Sequence, residues 1–209
     1  MDPYKITHDT WNKIAKVYAD KFLDIELYNE SYDFFLAALP KELASVLDVG
    51  CGPGSIMKYL LKKSPNLKLK GIDVAPNMLE LCKEFVPSAQ TQVLDARELQ
   101  KLNGKFDGII AGFCLPYLSE VEVEKLCFDA HYLLNPYGIL YLSFVEGNPS
   151  ASGFQQNSYG DGMLFYYHDT QKIKTILEKH YVLIKEFSID YEHDENNRSV
   201  HKVLICRLS

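Results

Sequence analysis

Three aspartates and a run of glycines carry the chemistry legible in this sequence. Asp48 sits in the apolar run Val46-Leu47-Asp48-Val49, which is followed at once by Gly50-Cys51-Gly52-Pro53-Gly54. Asp73 closes a second apolar run, and Asp95 follows a third, Thr91 to Leu94. Glycines without side chains admit a ligand close to the backbone. A carboxylate about twenty residues beyond such a turn can accept hydrogen bonds from both hydroxyls of a ribose. The spacing is not that of the dinucleotide fingerprint, because the third glycine falls one residue early. The turn also lacks the Gly-Lys-Ser/Thr ending of a phosphate loop. Asp48 would repel a pyrophosphate and suits an ammonium group. These residues describe a site for a nucleoside with a cationic amino-acid tail.

An alternation of strands and helices must position them. Val46, Leu47 and Val49 read as a strand buried on both faces of a parallel sheet. Ile56, Met57, Tyr59, Leu60 and Leu61 resume at helical spacing, so a helix opens at Gly54 or Ser55. Further strands are expected over 68–74, 91–94, 105–113 and 138–145, with a helix over 120–134. Upstream, a helix is expected over 8–22 with Asp9 or Thr10 as its cap, and another over 32–39, stopped by Pro40. The stretch 146–168 is rich in glycine and carries Phe154, Tyr159, Phe165, Tyr166 and Tyr167. It reads either as an aromatic lid or as a β-hairpin with Met163 to Tyr167 as its second arm. Asp169-Thr170 then caps a helix over 171–180, and two β-rich runs, 181–191 and 200–208, close the chain. Asn135-Pro136-Tyr137 falls between a helix and a strand and reads as a turn.

Composition narrows the partners. With 209 residues, 47% hydrophobic and 24% charged, one domain with a sizeable core is expected. We divide it as 1–40, an N-terminal helical cap; 41–145, a cofactor-binding half; and 146–209, a substrate-side loop and closing hairpin. A net charge of −6 argues against a nucleic-acid partner, which needs a basic face. No run approaches a membrane span, and the first residues lack the apolar core of a secretory signal. Five scattered cysteines without a Cys-x-x-Cys pair read as reduced thiols in a cytoplasmic protein. No compact set of metal ligands stands out. Nothing decides between monomer and homodimer.

Val46 to Gly54 closely resembles the first motif of class I S-adenosylmethionine-dependent methyltransferases. Lys105 to Phe113 resembles that family's fourth motif, Asn77-Met78-Leu79 matches residues common after its ribose acid, and Trp11 to Tyr18 resembles its amino-terminal segment. The resemblance implies an α/β fold: a Rossmann-like three-layer sandwich whose seven-stranded, mostly parallel sheet ends in an antiparallel strand. It implies S-adenosyl-L-methionine as cofactor. Asp48, Gly50, Cys51 and Gly52 would surround its amino-acid end with Tyr18, and Asp73 with Val74 would hold the ribose. Met78 would lie near the adenine, Asp95 would accept from its amino group, and Ala96 and Arg97 would flank it. Phe113 or Leu115 would supply apolar contact. The loop after the fourth strand lacks the Asn/Asp-Pro-Pro-aromatic tetrad of DNA and protein-glutamine methylases. A small-molecule acceptor is therefore implied, methylated by in-line displacement. If the acceptor must lose a proton, Tyr117 and His168 are the candidates, with Glu146 behind them. A non-catalytic cofactor-binding scaffold is the rival reading. A nicotinamide oxidoreductase fits the glycine spacing and Asp48 less well.

Overall fold

The computed structural model describes residues 4–156, 162–194 and 197–209. Two helices, α1 (Lys5–Phe22) and α2 (Asn29–Ala38), precede β1 (Ser45–Val49), α3 (Ser55–Lys63), β2 (Lys68–Asp73), α4 (Pro76–Phe85) and β3 (Gln90–Val93). Then come β4 (Phe106–Ala111), α5 (Glu120–Leu133), β5 (Leu134–Val145), the short strands β6 (Gly153–Gln156) and β7 (Gly162–Phe165), α6 (Thr170–Leu177), β8 (Tyr181–Asp194) and β9 (Asn197–Leu208). Seven strands form one sheet in the order β3-β2-β1-β4-β5-β9-β8. β1 to β5 run parallel, while β9 is antiparallel to both its neighbours. This is the sheet that the resemblance implies.

Strand alternation divides the core into two layers. Leu47, Val49 and Ile109 face Leu126, Ala130 and Leu177 on α5 and α6. Val46, Ile110, Tyr141 and Val203 face Phe35, Met57, Leu60 and Leu79 on α2, α3 and α4. Gly108 on β4 lets α2 approach: a Cβ there would lie 2.7 Å from both Leu39 Cδ2 and Phe35 Cζ. Gly108→Ala is therefore expected to cost about 1–3 kcal/mol through overpacking, read as a lower urea midpoint at an unchanged slope.

Several boundaries differ from those the sequence predicts. α1 starts at Lys5 rather than residue 8, and neither Asp9 nor Thr10 caps it. Asp9 pairs with Lys5 at 2.6 Å, and the Thr10 hydroxyl donates to the Gly162 carbonyl at 2.8 Å. The start is fixed by tertiary contact instead: Tyr4 is buried and its hydroxyl donates to Glu122 on α5. α2 begins three residues before the expected Tyr32. β5 reaches back through Asn135-Pro136-Tyr137, which bulges out of the ladder between the pairs Phe106–Leu134 and Gly108–Ile139. The stretch 146–168 contains the antiparallel pair β6-β7, fastened to α1 where the Leu164 amide donates to Thr7 Oγ1 at 2.9 Å. Tyr159 and Gly160 lie outside the described residues. Among those described, no helix is long and apolar enough to cross a membrane.

Candidate active site

The carboxyl ends of β1, β2, β3 and β4 meet where the strand order reverses, the place where open α/β sheets bind ligands. Gly50, Gly52 and Gly54 all take positive φ there (69°, 52° and 89°), a conformation that favours glycine. The Asp73 carboxylate braces this turn: Oδ2 accepts from the Gly52 amide at 2.9 Å and Oδ1 from the Ala75 amide at 2.8 Å. Burial raises the Asp73 pKa against these donors, which lower it.

Two cavities flank the turn. The smaller, about 120 Å³, is lined by Gly50, Gly52, Asp73, Val74, Met78, Asp95, Ala96 and Arg97, with Tyr4, Thr7 and His8 of α1 and its entry above them. The larger, about 410 Å³, is lined by Cys51 and Pro53 of the turn and by rings that include Phe22, Tyr28, Phe165, Tyr191 and His201. Trp11, Tyr18, Gly50, Gly52, Gly112, Phe113 and Tyr117 line both. The Trp11 ring meets Tyr18 and Tyr117 edge-on at centroid distances of 5.3 and 5.2 Å, so these three rings divide the cavities.

Asp48 lines neither cavity. It is buried on the α2–α3 face of the sheet, and neither carboxylate oxygen has a hydrogen-bond partner. Burial, then the charge of Asp73, pushes its pKa up to about 8. Asp48 is therefore mostly protonated at neutral pH, and a cation above the glycine turn would favour its ionised form. Asp95 is engaged by its own chain: Oδ1 accepts from the Arg97 amide at 2.9 Å, Oδ2 from Arg97 Nη2 at 2.6 Å, and His8 Nε2 lies 3.7 Å away. Burial opposes ionisation of Asp95, but the Arg97 bonds prevail and hold its pKa below the ordinary value. Arg97 also packs over the Tyr4 ring at 4.1 Å, joining this end of the smaller cavity to the start of α1.

Residues 46–138 match the family model of the methyltransferase domain. Over that stretch the chain is similar to methyltransferase domains. The 1,6-didemethyltoxoflavin-N1-methyltransferase of Burkholderia thailandensis, solved with S-adenosylhomocysteine, shares its fold at a TM-score of 0.74 and 18% identity, covering 98% of this chain and 88% of that one. The malonyl-[acyl-carrier protein] O-methyltransferase of Acetivibrio thermocellus is 28% identical over 66% of this chain and 47% of its own length. The ribosomal RNA small subunit methyltransferase C of Shewanella pealeana is 35% identical over 47% of this chain and 28% of its own. The chain spans about half to three fifths of the length of the first curated relatives it matches.

Around the domain's glycine turn the structure brings together Tyr18, Gly50, Cys51, Gly52, Asp73, Val74, Met78, Asp95, Ala96, Arg97 and Phe113. Leu115, the alternative to Phe113, is fully buried in the α5-side core. His168 is corrected as a base: it is buried, lines neither cavity, and its Nε2 lies 2.8 Å from the Leu115 carbonyl. Burial lowers its pKa, and its role is to tie the segment after β7 to the sheet. Glu146 accepts from Thr170 Oγ1 at 2.6 Å and pairs with Lys202. Tyr117 does line both cavities, but burial pushes its pKa far up, so it remains a phenol and can donate rather than abstract. Among the described residues, no group of three or more His, Cys, Asp or Glu is placed to hold a metal ion.

Sequence reasoning missed Tyr4, Thr7 and His8 on the smaller cavity and Tyr28, Tyr191 and His201 on the larger. None belongs to a local pattern. Each arrives by a packing contact between segments far apart in the chain. The strained backbone of Phe113 was equally invisible. Its φ of 55° is uncommon for an aromatic residue and sets its ring edge-on against both Tyr28 and His201, 4.9 Å from each.

Proposed function

We propose that this chain is an S-adenosylmethionine-dependent methyltransferase acting on a small-molecule acceptor. The observation that carries the reading is the pair Asp73 and Asp48 around one positive-φ glycine turn, the first bracing it and the second buried beneath it without a partner. The residues fit the cofactor: Asp73 can take the ribose hydroxyls, Met78 and Ala96 the faces of the base, and Asp48 answers a positive charge above the turn. Asp95 and the Ala96 and Arg97 backbone mark the adenine end. When bound, the cofactor supplies an electrophilic methyl group that needs little activation. The chain's own contribution is alignment and exclusion of water. Tyr18, Trp11 and Tyr117 separate the cofactor cavity from the acceptor cavity, and α1 with the β6-β7 pair roofs both. The net charge of −6 supports a small acceptor over RNA. Five free, buried cysteines fit a reducing, cytoplasmic setting.

The test is titration with S-adenosylmethionine, S-adenosylhomocysteine and NAD, followed by calorimetry and by the emission of Trp11, the chain's one tryptophan. Because Trp11 lines both cavities, the two adenosyl ligands are expected to change its emission saturably while NAD does not. Binding of NAD alone would overturn the reading.

A further inference from the structure

The larger cavity ends on a hydrogen-bonded pair that is absent from the smaller one. Tyr28, the residue that opens α2, and His201 on β9 stand 173 positions apart, yet Tyr28 Oη lies 2.7 Å from His201 Nδ1. Ser199 Oγ lies 2.9 Å from the other ring nitrogen, Nε2. Tyr191 of β8 stacks on the imidazole at 4.8 Å and 13°, and Phe113, held by a positive φ, meets it edge-on at 4.9 Å. Both members of the pair are buried except where they line the cavity. A position on β9 that only filled the core would be served by an apolar residue such as its neighbour Val203. Here a hydroxyl, an imidazole and a second hydroxyl are strung in one line instead.

We propose that Tyr28 and His201 form a proton relay for a methyl acceptor that is aromatic and carries a hydroxyl group. This rests on the methyltransferase reading and deepens it. The rings of Trp11, Tyr18, Phe22, Tyr117 and Phe165 make the cavity a slot for a flat apolar body. Among the described residues, no carboxylate lines it while Lys21 does, so the lining's only full charge opposes an ammonium-bearing acceptor. In the relay, Tyr28 Oη accepts a hydrogen bond from the acceptor hydroxyl and donates its own proton to His201 Nδ1. As the acceptor's O–H bond breaks, its proton passes to Tyr28 Oη and the Tyr28 proton passes to Nδ1. The electron pair stays on the acceptor oxygen and forms the new bond to the methyl carbon of the sulfonium donor, whose carbon–sulfur pair remains on sulfur. The imidazolium is stabilised by Ser199 Oγ at Nε2 and by the Tyr191 face. Burial raises the Tyr28 pKa, as do its neighbours Tyr191, Tyr141 and Tyr18, so Tyr28 passes a proton on without resting as a phenolate.

The experiment uses the full chain saturated with S-adenosylhomocysteine and, as probe, 4-nitrophenol, whose anion absorbs in the visible. The expected result is a bound probe more ionised than in bulk solution, by about tenfold in its phenolate-to-phenol ratio at fixed pH. Tyr28→Phe, which removes one oxygen, and His201→Gln are each expected to abolish that gain while S-adenosylhomocysteine still binds. Simple burial in an aromatic slot would move the probe the opposite way. A bound probe that titrates as in bulk or is less ionised, a probe that does not bind, or a gain that survives in both variants overturns the relay. Failure of S-adenosylhomocysteine to bind overturns the methyltransferase reading instead, and the probe's titration still reports on the pair.

Discussion

Asp48→Asn is expected to stabilise the ligand-free chain at neutral pH while weakening its hold on a cationic cofactor. The Asp48 carboxyl is buried, its oxygens are unpartnered, and its pKa is pushed from 3.8 up to about 8. Between those values the folded chain holds a proton that the unfolded chain has released. Stability therefore falls as pH rises from about 4 to about 8, and levels off above. Each pH unit in that window is worth about 1.4 kcal/mol, so the penalty at pH 7 is on the order of 4 kcal/mol. Asparagine has nearly the same shape and no proton to lose. Urea unfolding at intervals from pH 5 to 8.5 should show the variant gaining most at the alkaline end. A variant uniformly less stable, with a pH profile parallel to that of the natural chain, would sink the argument. In the same samples, affinity for S-adenosylmethionine should fall, and by more at pH 8.5 than at pH 5, because only the ionised Asp48 carboxylate attracts a cation.

Asp73→Ala is expected to reduce affinity for S-adenosylhomocysteine by about 100-fold or more, the loss of two hydrogen bonds to a charged acceptor at about 1.5–3 kcal/mol each. Its two oxygens already accept from Gly52 and Ala75. The substitution therefore also leaves two backbone amides of the turn without an acceptor, at a stability cost of about 1–3 kcal/mol. Asp73→Asn separates the effects: it keeps one oxygen for the turn and loses the second acceptor and the charge. Calorimetry should place it between the natural chain and the alanine variant. If Asp73→Ala binds S-adenosylhomocysteine as tightly as the natural chain, Asp73 serves only to brace the glycine turn.

Much of this architecture is written locally. The apolar runs around Val46, Ile72 and Ile109, the glycines after β1 and the acids at the strand ends each follow from residues a few positions apart. A parallel sheet then carries them to one edge, because strands of similar length that run the same way end together. That is why most residues of the smaller cavity are legible in the sequence. Asp48 shows where local reading stops. It stands on β1 just before the glycine turn, but strand alternation turns its side chain to the α2–α3 face, outside both cavities.

The acceptor side depends on contacts that no local pattern encodes. Tyr4 fixes the start of α1 through Glu122, 118 positions away. His168, just ahead of α6 and one of two candidate bases, is turned inward to the Leu115 carbonyl by folding. His201, in a plain β-rich run, gains its partner Tyr28 only when β9 inserts beside β5 and α2 packs across it. Strand, turn and helix are decided by the short-range sterics of neighbouring residues, so the order of strands and the glycine turn at their carboxyl edge are legible along the chain. Which side chains meet across the acceptor cavity is decided by close packing between distant segments, and only the tertiary structure could supply it.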